Sequence, residues 1–314
     1  MEFYIKNNDL ISKKEWVNLI SSLENNFNSL ETNLERSKRR LKESLFKAVE
    51  KRKDDNLGIF LSGGVDSSLL VFIAKELGLK FKCFTVGFQE KSKKPEDLEY
   101  SERLAEELNL DLISKVYGLN EVEGAVKEVV KILKTEDSVK VGIGVVVYLG
   151  LKLAKENEVK VLLGGLGVEE TLCGYMRHKD VFSKEGFERV HKECWRGLKE
   201  MYDIDLTRDA SIVKSMNMDI RTPFLDKDFI IEAMKIHPML KISNDQNKIV
   251  LREMAKDIGL NYSIAFRKKV AAQYGSRIDK AIDKLARKNG FKFKKDWLNH
   301  LMADIKSQPL LFKP

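Results

Sequence analysis

The sequence predicts an α/β fold: a parallel sheet with helices on both faces, followed by a C-terminal helical portion. Three observations carry this reading. Short apolar runs alternate with helical patterns between residues 57 and 163, and strands that are apolar throughout belong to parallel sheets covered on both sides. The first run leads directly into a glycine-containing turn and a helical pattern, the β-loop-α unit that opens a nucleotide-binding sheet. Beyond Gly174 strand signals stop and only helical patterns continue.

Residues 1–34 are mixed and polar and predict a cap or extension rather than an independent domain. The basic stretch 36–53 carries Leu34, Leu41, Leu45 and Val49 at helical spacing, so it predicts an amphipathic helix with its charges on the outer face. A strand over 57–61, a turn, and a helix over 67–77 follow, with Gly78 placed as the residue just past the helix end. Alternation continues with strands over 81–88, 110–117 and 159–163 and helices over 97–109, 120–134 and 141–157. Further helices are predicted over 187–201, 210–218, 228–236, 248–258, 276–287 and 294–305. The chain divides into the 1–34 extension, an α/β domain over 35–180 and a helical portion over 181–314 that completes the site.

Composition excludes several classes. With 43% hydrophobic and 33% charged residues over 314 positions, the chain can build a sizeable core and is not disordered. The longest apolar run, 141–151, falls short of the ~20 residues needed to span a bilayer, and the N-terminus lacks a basic-then-apolar signal. A cytoplasmic protein without a membrane partner is expected. Cys83, Cys173 and Cys194 are odd in number with no C-x-x-C pair, which predicts free thiols and neither a zinc site nor a disulfide framework. The net charge of +8 favours anionic ligands; for the 36–53 helix a solvated flank is the favoured reading over an RNA-binding ridge.

The chemistry concentrates in Ser62-Gly63-Gly64-Val65-Asp66-Ser67-Ser68, directly after a strand and opening a helix. Paired glycines let consecutive N–H groups point at one spot, the hydroxyls add donors, and the helix N-terminus favours an anion, so the string predicts a pyrophosphate cradle. Asp66 inside such a cradle would repel phosphate unless a cation lies between them, which implies Mg²⁺. A glycine turn with a serine helix cap explains one or two of these residues but not the whole string.

This loop resembles the phosphate loop of the ATP-pyrophosphatase superfamily, which cuts ATP between its α- and β-phosphates. Further segments narrow the resemblance to the synthetase domain of the asparagine synthetase family, over residues from about 35 to 290. Phe84-Thr85-Val86-Gly87-Phe88 ends a strand, and the resemblance places adenine and ribose against Val86 and Gly87. Gly164-Gly165-Leu166-Gly167-Val168-Glu169-Glu170 resembles the family's G-E-G-S/A-D-E motif; Gly165 and Gly167 would approach the nucleotide, and Glu169 takes the place of the metal-binding Asp beside Asp66. Arg208-Asp209 and Asp219-Ile220-Arg221-Thr222-Pro223-Phe224-Leu225-Asp226 are similar to the family's R-D and E-V-R-x-P-F-L-D stretches. Arg208, Asp209, Arg221 and Asp226 are therefore either substrate contacts or a structural network. Lys248 with Leu251-Arg252 and then Arg267-Lys268-Lys269 complete the match; Lys269 is the position that reaches the reacting phosphate, with Arg267 and Lys268 read as a solvated basic turn. Lys269 and Asp66 are the expected catalytic residues.

The resemblance implies an adenine nucleotide alpha-hydrolase-like fold and an ATP- and Mg²⁺-dependent ligase that adenylates a carboxylate, releases pyrophosphate and lets an amine or ammonia displace AMP. Two departures stand out. The chain begins Met1-Glu2-Phe3, without the family's cysteine nucleophile or room for its glutaminase half, so ammonia is expected from solution or a separate partner protein. Leu166 replaces the motif's first Glu, and leucine can neither take a proton nor orient ammonia. The alternatives are an adenylating RNA-modifying enzyme of the same superfamily and a non-catalytic nucleotide-binding relative.

Overall fold

The computed structural model describes residues 2–6, 9–25, 29–89 and 93–307, so Met1 lies outside the described residues. The chain opens with a two-stranded antiparallel hairpin, β1 (Ile5–Lys6) and β2 (Asp9–Leu10), and a first helix, α1 (Lys13–Asn25). Trp16 and Ile20 of α1 are fully buried. The basic helix follows as α2 (Leu34–Glu50), its first turn capped by the Asn33 side chain, which accepts from the Arg36 N–H at 2.9 Å. Leu41, Leu45 and Val49 are fully buried on one face, and Arg36, Arg39, Arg40 and Lys42 are exposed on the other.

One charge of this stretch departs from the expected outer face. Arg52 is buried; its Nε and Nη2 donate to the two Glu2 oxygens at 2.6 and 2.7 Å, and its Nη1 donates to Asp226 Oδ2 at 2.9 Å and to the Ala48 carbonyl at 2.8 Å. The Thr222 N–H donates to Glu2 Oε1 at 2.9 Å. Glu2 is thereby tied to the body of the protein rather than left on a loose extension.

The α/β part runs β3 (Leu57–Phe60), α3 (Val65–Glu76), β4 (Phe81–Phe88), α4 (Glu96–Leu108), β5 (Leu112–Tyr117), α5 (Leu119–Leu133), α6 (Ser138–Glu156), β6 (Val161–Leu163) and the short α7 (Val168–Thr171). Gly64, extended at φ −79° and ψ 155°, starts α3 two residues before the periodicity suggests. Gly78 beyond its end takes φ +66°, the left-handed conformation expected of a glycine there.

All strands of the main sheet are parallel, and with β7 (Asp219–Arg221) beside β6 their order is β5-β4-β3-β6-β7. This edge strand corrects the expectation that strands end before Gly174: Asp219, Ile220 and Arg221 pair with Val161, Leu162 and Leu163. Three half-buried residues at a sheet edge, two of them charged, carry no apolar run, so their extended form comes from the β6 partner.

Side chains alternate across the sheet. Leu57, Ile59 and Leu61 join Val161 and Leu163 in one core with α2 and α3, whereas Phe84, Val86, Phe88 and Leu162 join α5 and α6 in the other. Helices therefore cover both faces, as expected.

The remaining helices are α8 (Met176–Met201), α9 (Thr207–Met216), α10 (Lys227–Lys235), α11 (Ile249–Asp257), the four-residue α12 (Tyr262–Ala265) and α13 (Ala272–Gly275), α14 (Ile278–Lys288) and α15 (Lys294–Ser307). The α8 helix starts well before the predicted position 187 and is broken at Gly186 (φ 76°, ψ −173°); the predicted helix is its second limb. A third core gathers Trp16 and Ile20 of α1, Cys194, Trp195 and Leu198 of α8, and Ile230 and Met234 of α10. Cys83, Cys173 and Cys194 are free and buried. Among the described residues no helix is long and apolar enough to cross a membrane.

Candidate active site

From β3 the chain builds β4 and β5 to one side, then returns to place β6 and β7 on the other. The crevice beyond the carboxyl ends of β3 and β6 is thus the point where strand order reverses, the position at which open α/β sheets bind ligands. The loops entering it are 61–64 and 164–167.

The first loop is held by its own hydroxyls. Ser62 N–H donates to Ser67 Oγ at 3.1 Å, Ser67 Oγ donates to the Gly64 carbonyl at 3.2 Å, and the Ser62 and Ser67 hydroxyls lie 3.1 Å apart. Gly63 turns the chain at φ +67°, and a Cβ there would lie 2.3 Å from Tyr100 Cβ, so both conformation and space demand glycine. Ser68 Oγ is buried and finds no hydrogen-bond partner among the described residues. From outside the loop, Arg267 donates to the Ser62 carbonyl at 2.6 Å and to Asp97 Oδ1 at 2.8 Å, with its guanidinium 4.1 Å from the Tyr100 ring centroid. Arg267 is buried, which corrects its reading as part of a solvated turn; Lys268 beside it is exposed.

A cavity of about 230 Å³ opens on this loop. One wall is apolar, from Phe60, Phe84, Val86, Val146 and Val147; the other is polar, from Ser62, Asp66, Ser67, Asp97, Glu169 and Lys269. It adjoins a smaller space of about 40 Å³ bordered by Gly64, Asp66, Lys248, Arg252, Arg267 and Lys269. An apolar slot continuing into an end bordered by lysine and arginine side chains and the start of α3 suits a base joined to phosphates. A larger cleft of about 880 Å³ lies between the hairpin and α9, outside the crevice, and contains none of the predicted site residues.

Two carboxylates and two ammonium groups meet at the polar end. Lys248 Nζ donates to Asp66 Oδ2 at 2.6 Å and to Glu169 Oε1 at 3.0 Å, and Lys269 Nζ donates to the same Glu169 oxygen. Burial opposes ionisation of Glu169, but Lys248 and Lys269 outweigh it and hold its carboxyl well below the usual range. Desolvation likewise opposes the Lys269 charge, yet Glu169 and Asp66 raise its affinity for the proton above normal. Burial pushes Asp97 up to about 6 against the pull of Arg267 and Lys269.

Among the described residues no group of three or more His, Cys, Asp or Glu side chains forms a metal cage. Asp66 Oδ1, buried and without a hydrogen-bond partner among them, nevertheless fits a divalent cation whose other ligands come from phosphate. Magnesium is commonly held in this way, by one or two carboxylates and its substrate.

The other predicted residues divide. Gly165 lines the cavity, where a Cβ would lie 3.6 Å from Asp66 Cβ. Gly87 lies outside the wall against Pro95, and Gly167, at φ +101°, is required where Leu225 would come within 2.3 Å of a Cβ. Arg208 is buried between Asp205 at 2.8 Å and Asp209 at 2.7 Å. Arg221 binds Asp54 and Asp219, each at 3.0 Å, and the Arg52 and Lys53 carbonyls at 3.1 Å. Asp226 holds Arg52 and accepts the Asp228 N–H at 3.1 Å at the start of α10. None of Arg208, Asp209, Arg221 and Asp226 lines either space, and each is held in an ion pair. Leu166 packs on the third core instead of lining the cavity.

Behind Glu169 lies a buried acid that the sequence did not single out. Glu170 accepts from Tyr175 Oη at 2.7 Å on Oε1, while Oε2 has no partner among the described residues. Burial, reinforced by Asp205 and Glu169, pushes its carboxyl up to about 8. Adjacent glutamates point to different sides of a helical turn: Glu169, the position the motif singled out, lines the cavity, and Glu170 meets Tyr175 instead.

The unfolded chain releases the Glu170 proton near pH 4.5 while the folded chain keeps it to about 8, so this group's contribution falls as pH rises between those values. Urea unfolding of Glu170→Gln at pH 5, 6.5 and 8 is expected to show a stability gain over the parent chain that widens with pH. Parallel pH profiles would show that Glu170 is ionised in the fold.

The family model for asparagine synthase matches residues 40–190 and 183–300. A Methanocaldococcus jannaschii protein described as a candidate asparagine synthetase (glutamine-hydrolyzing) is 33% identical over 304 residues, covering 86% of this chain and 55% of its own length. The nodule asparagine synthetase (glutamine-hydrolyzing) of Pisum sativum is 30% identical over 233 residues, covering 69% of this chain and 39% of its own. The chain spans about half the length of the curated relatives it matches, or less. Among solved structures, NMN synthetase from Francisella tularensis aligns over 90% of this chain and 99% of its own, with a TM-score of 0.42 and 14% identity.

Proposed function

The chain belongs to the asparagine synthase family, and from that premise we propose an ATP-dependent ligase that forms AMP and pyrophosphate while activating a carboxylate for amide formation. The observation that carries the reading is the convergence of the Ser62–Ser68 loop, the facing Asp66 and Glu169 carboxylates, and Lys248 and Lys269 at the end of an apolar slot.

In this reading the slot between Phe84, Val86, Val146 and Val147 takes the adenine. The N–H groups of the loop and the first turn of α3 take the phosphates, and Arg267 keeps that loop in shape through the Ser62 carbonyl. A substrate carboxylate oxygen attacks the α-phosphorus, the bond to the bridging oxygen breaks, and pyrophosphate leaves. Lys269 is aimed at the negative charge that builds on these oxygens. Asp66 and Glu169 would hold Mg²⁺ together with ATP, and the ion supplies charge neutralisation on the phosphates. The amine, ammonia or a larger one, then attacks the acyl carbon and AMP leaves. Leu166 supplies no base for that step, so the amine is proposed to arrive neutral, from solution or a partner protein.

ATP–pyrophosphate exchange across a panel of amino acids, small acids and RNA tests the proposal. Exchange with a carboxylate supports it; exchange with RNA alone points to base modification, and none at all to a nucleotide-binding protein without catalysis. Asp66→Asn and Glu169→Gln are each expected to weaken Mg²⁺-dependent exchange by at least the roughly 10–100-fold that loss of an outer-shell metal partner costs, measured on folded protein because each change also breaks an ion pair to the buried Lys248. Normal exchange in both variants would remove the metal assignment.

A further inference from the structure

We propose that the Lys248 ammonium is an internal cation that closes the Asp66–Glu169 carboxylate pair to free divalent metal, so that metal enters this site only with a nucleotide's phosphates. The inference deepens the adenylation reading and rests on it for the identity of the phosphate ligand.

The geometry is that of a counter-ion. Lys248 Nζ spans the two carboxylates at 2.6 and 3.0 Å, although the residues stand 182 and 79 positions away in sequence. Its side chain is only 1% exposed, so the ammonium is shielded from solvent and held at this end of the crevice by its two carboxylate partners. Several features hold it there. Lys248 sits at the start of α11 in the left-handed conformation, φ 58°, uncommon for a residue with a Cβ. Gly174 makes room: a Cβ on it would lie 2.6 Å from Lys248 Cε and 2.8 Å from Glu169 Cγ. Asn247 Nδ2 donates to the Gly174 carbonyl at 2.8 Å, and Arg252 Nε donates to the Asn247 carbonyl at 2.9 Å.

Charge decides the consequence. Asp66 and Glu169 supply two negative charges, and Lys248 and Lys269 two positive ones, so the cluster is already neutral. Arg267 is matched by Asp97, while Arg252, near enough to act on Asp66, adds a positive charge. A free divalent ion meets no net attraction: at Asp66 it would have to sit on Oδ1 beside the ammonium that Oδ2 already holds, and at Glu169 it would compete with two ammonium groups for Oε1, against like-charge repulsion at close range. Bound ATP reverses the balance. Its phosphates bring several negative charges, offer Lys248 an alternative acceptor and release Asp66 and Glu169 to an ion.

Binding of Mn²⁺, followed by electron paramagnetic resonance on the full chain, tests this without turnover. The parent protein is expected to bind Mn²⁺ only when a non-hydrolysable ATP analogue is present. Lys248→Met is expected to bind it without nucleotide about tenfold more tightly or better, the scale on which one adjacent charge shifts ion affinity. A nucleotide-free parent protein that binds Mn²⁺ at a site lost in Asp66→Asn would overturn the proposal, as would a folded Lys248→Met that binds no more tightly than the parent. Should Lys248→Met fail to fold, the parent protein with and without the analogue decides. Failure of the analogue to bind at all would count against adenylation, while the nucleotide-free comparison of parent and Lys248→Met would still judge Lys248.

Discussion

Lys269→Ala is expected to slow single-turnover adenylation by roughly 10²-fold or more, the cost of removing one preorganised charge aimed at a transition state, while ATP binding stays close to that of the parent chain. Lys269 reaches the crevice from the segment between α12 and α13, 203 positions after Asp66 in the numbering, and it touches Glu169 from there. Its side chain is 38% exposed, so truncation leaves no sealed cavity. Glu169 keeps Lys248 as a partner at 3.0 Å, so the carboxylate is not abandoned. The fold should survive and the loss should appear in the chemical step. An unaltered single-turnover rate would take Lys269 out of the reaction.

Arg52→Ala is expected to cost about 3–5 kcal/mol of folding stability, the penalty for breaking a buried ion pair and leaving its partner charged. Arg52 and Glu2 have 6% and 2% of their side chains exposed and share two short hydrogen bonds. Removing the guanidinium strands the Glu2 carboxylate, frees Asp226 from one partner and loosens the contact between α2, the start of α10 and the N-terminal segment. Urea unfolding monitors the loss, and the double variant Arg52→Met with Glu2→Gln should recover much of it because no unpaired charge remains. A loss below about 1 kcal/mol in Arg52→Ala would place the pair among ordinary surface salt bridges.

Both expectations turn on contacts between distant parts of the chain, and these mark the boundary of what could be read from sequence. The strand over 81–88 was legible to the residue because eight consecutive positions carry the signal; β7, with three half-buried residues, was not. Helix α2 followed from the spacing of Leu41, Leu45 and Val49, but nothing in that spacing foretold that Arg52 would turn inward to Glu2. Arg267 looked like one of three basic residues in a turn, and only the arrival of Asp97, Tyr100 and the Ser62 carbonyl around it made it a brace.

By itself the sequence determined the order of strands and helices between residues 57 and 163, the glycine turn after β3 and the chemical types in the crevice, because each is written in a stretch shorter than about 20 residues, where periodicity and turn chemistry act. Tertiary structure alone decided that Arg208, Asp209, Arg221 and Asp226 sit in ion pairs away from the cavity, and that Lys248 lies between Asp66 and Glu169. The reason is physical. A side chain's role follows from the charges and surfaces brought against it, and for Lys248 and Asp66 those come from positions 182 residues apart, beyond the reach of any local pattern.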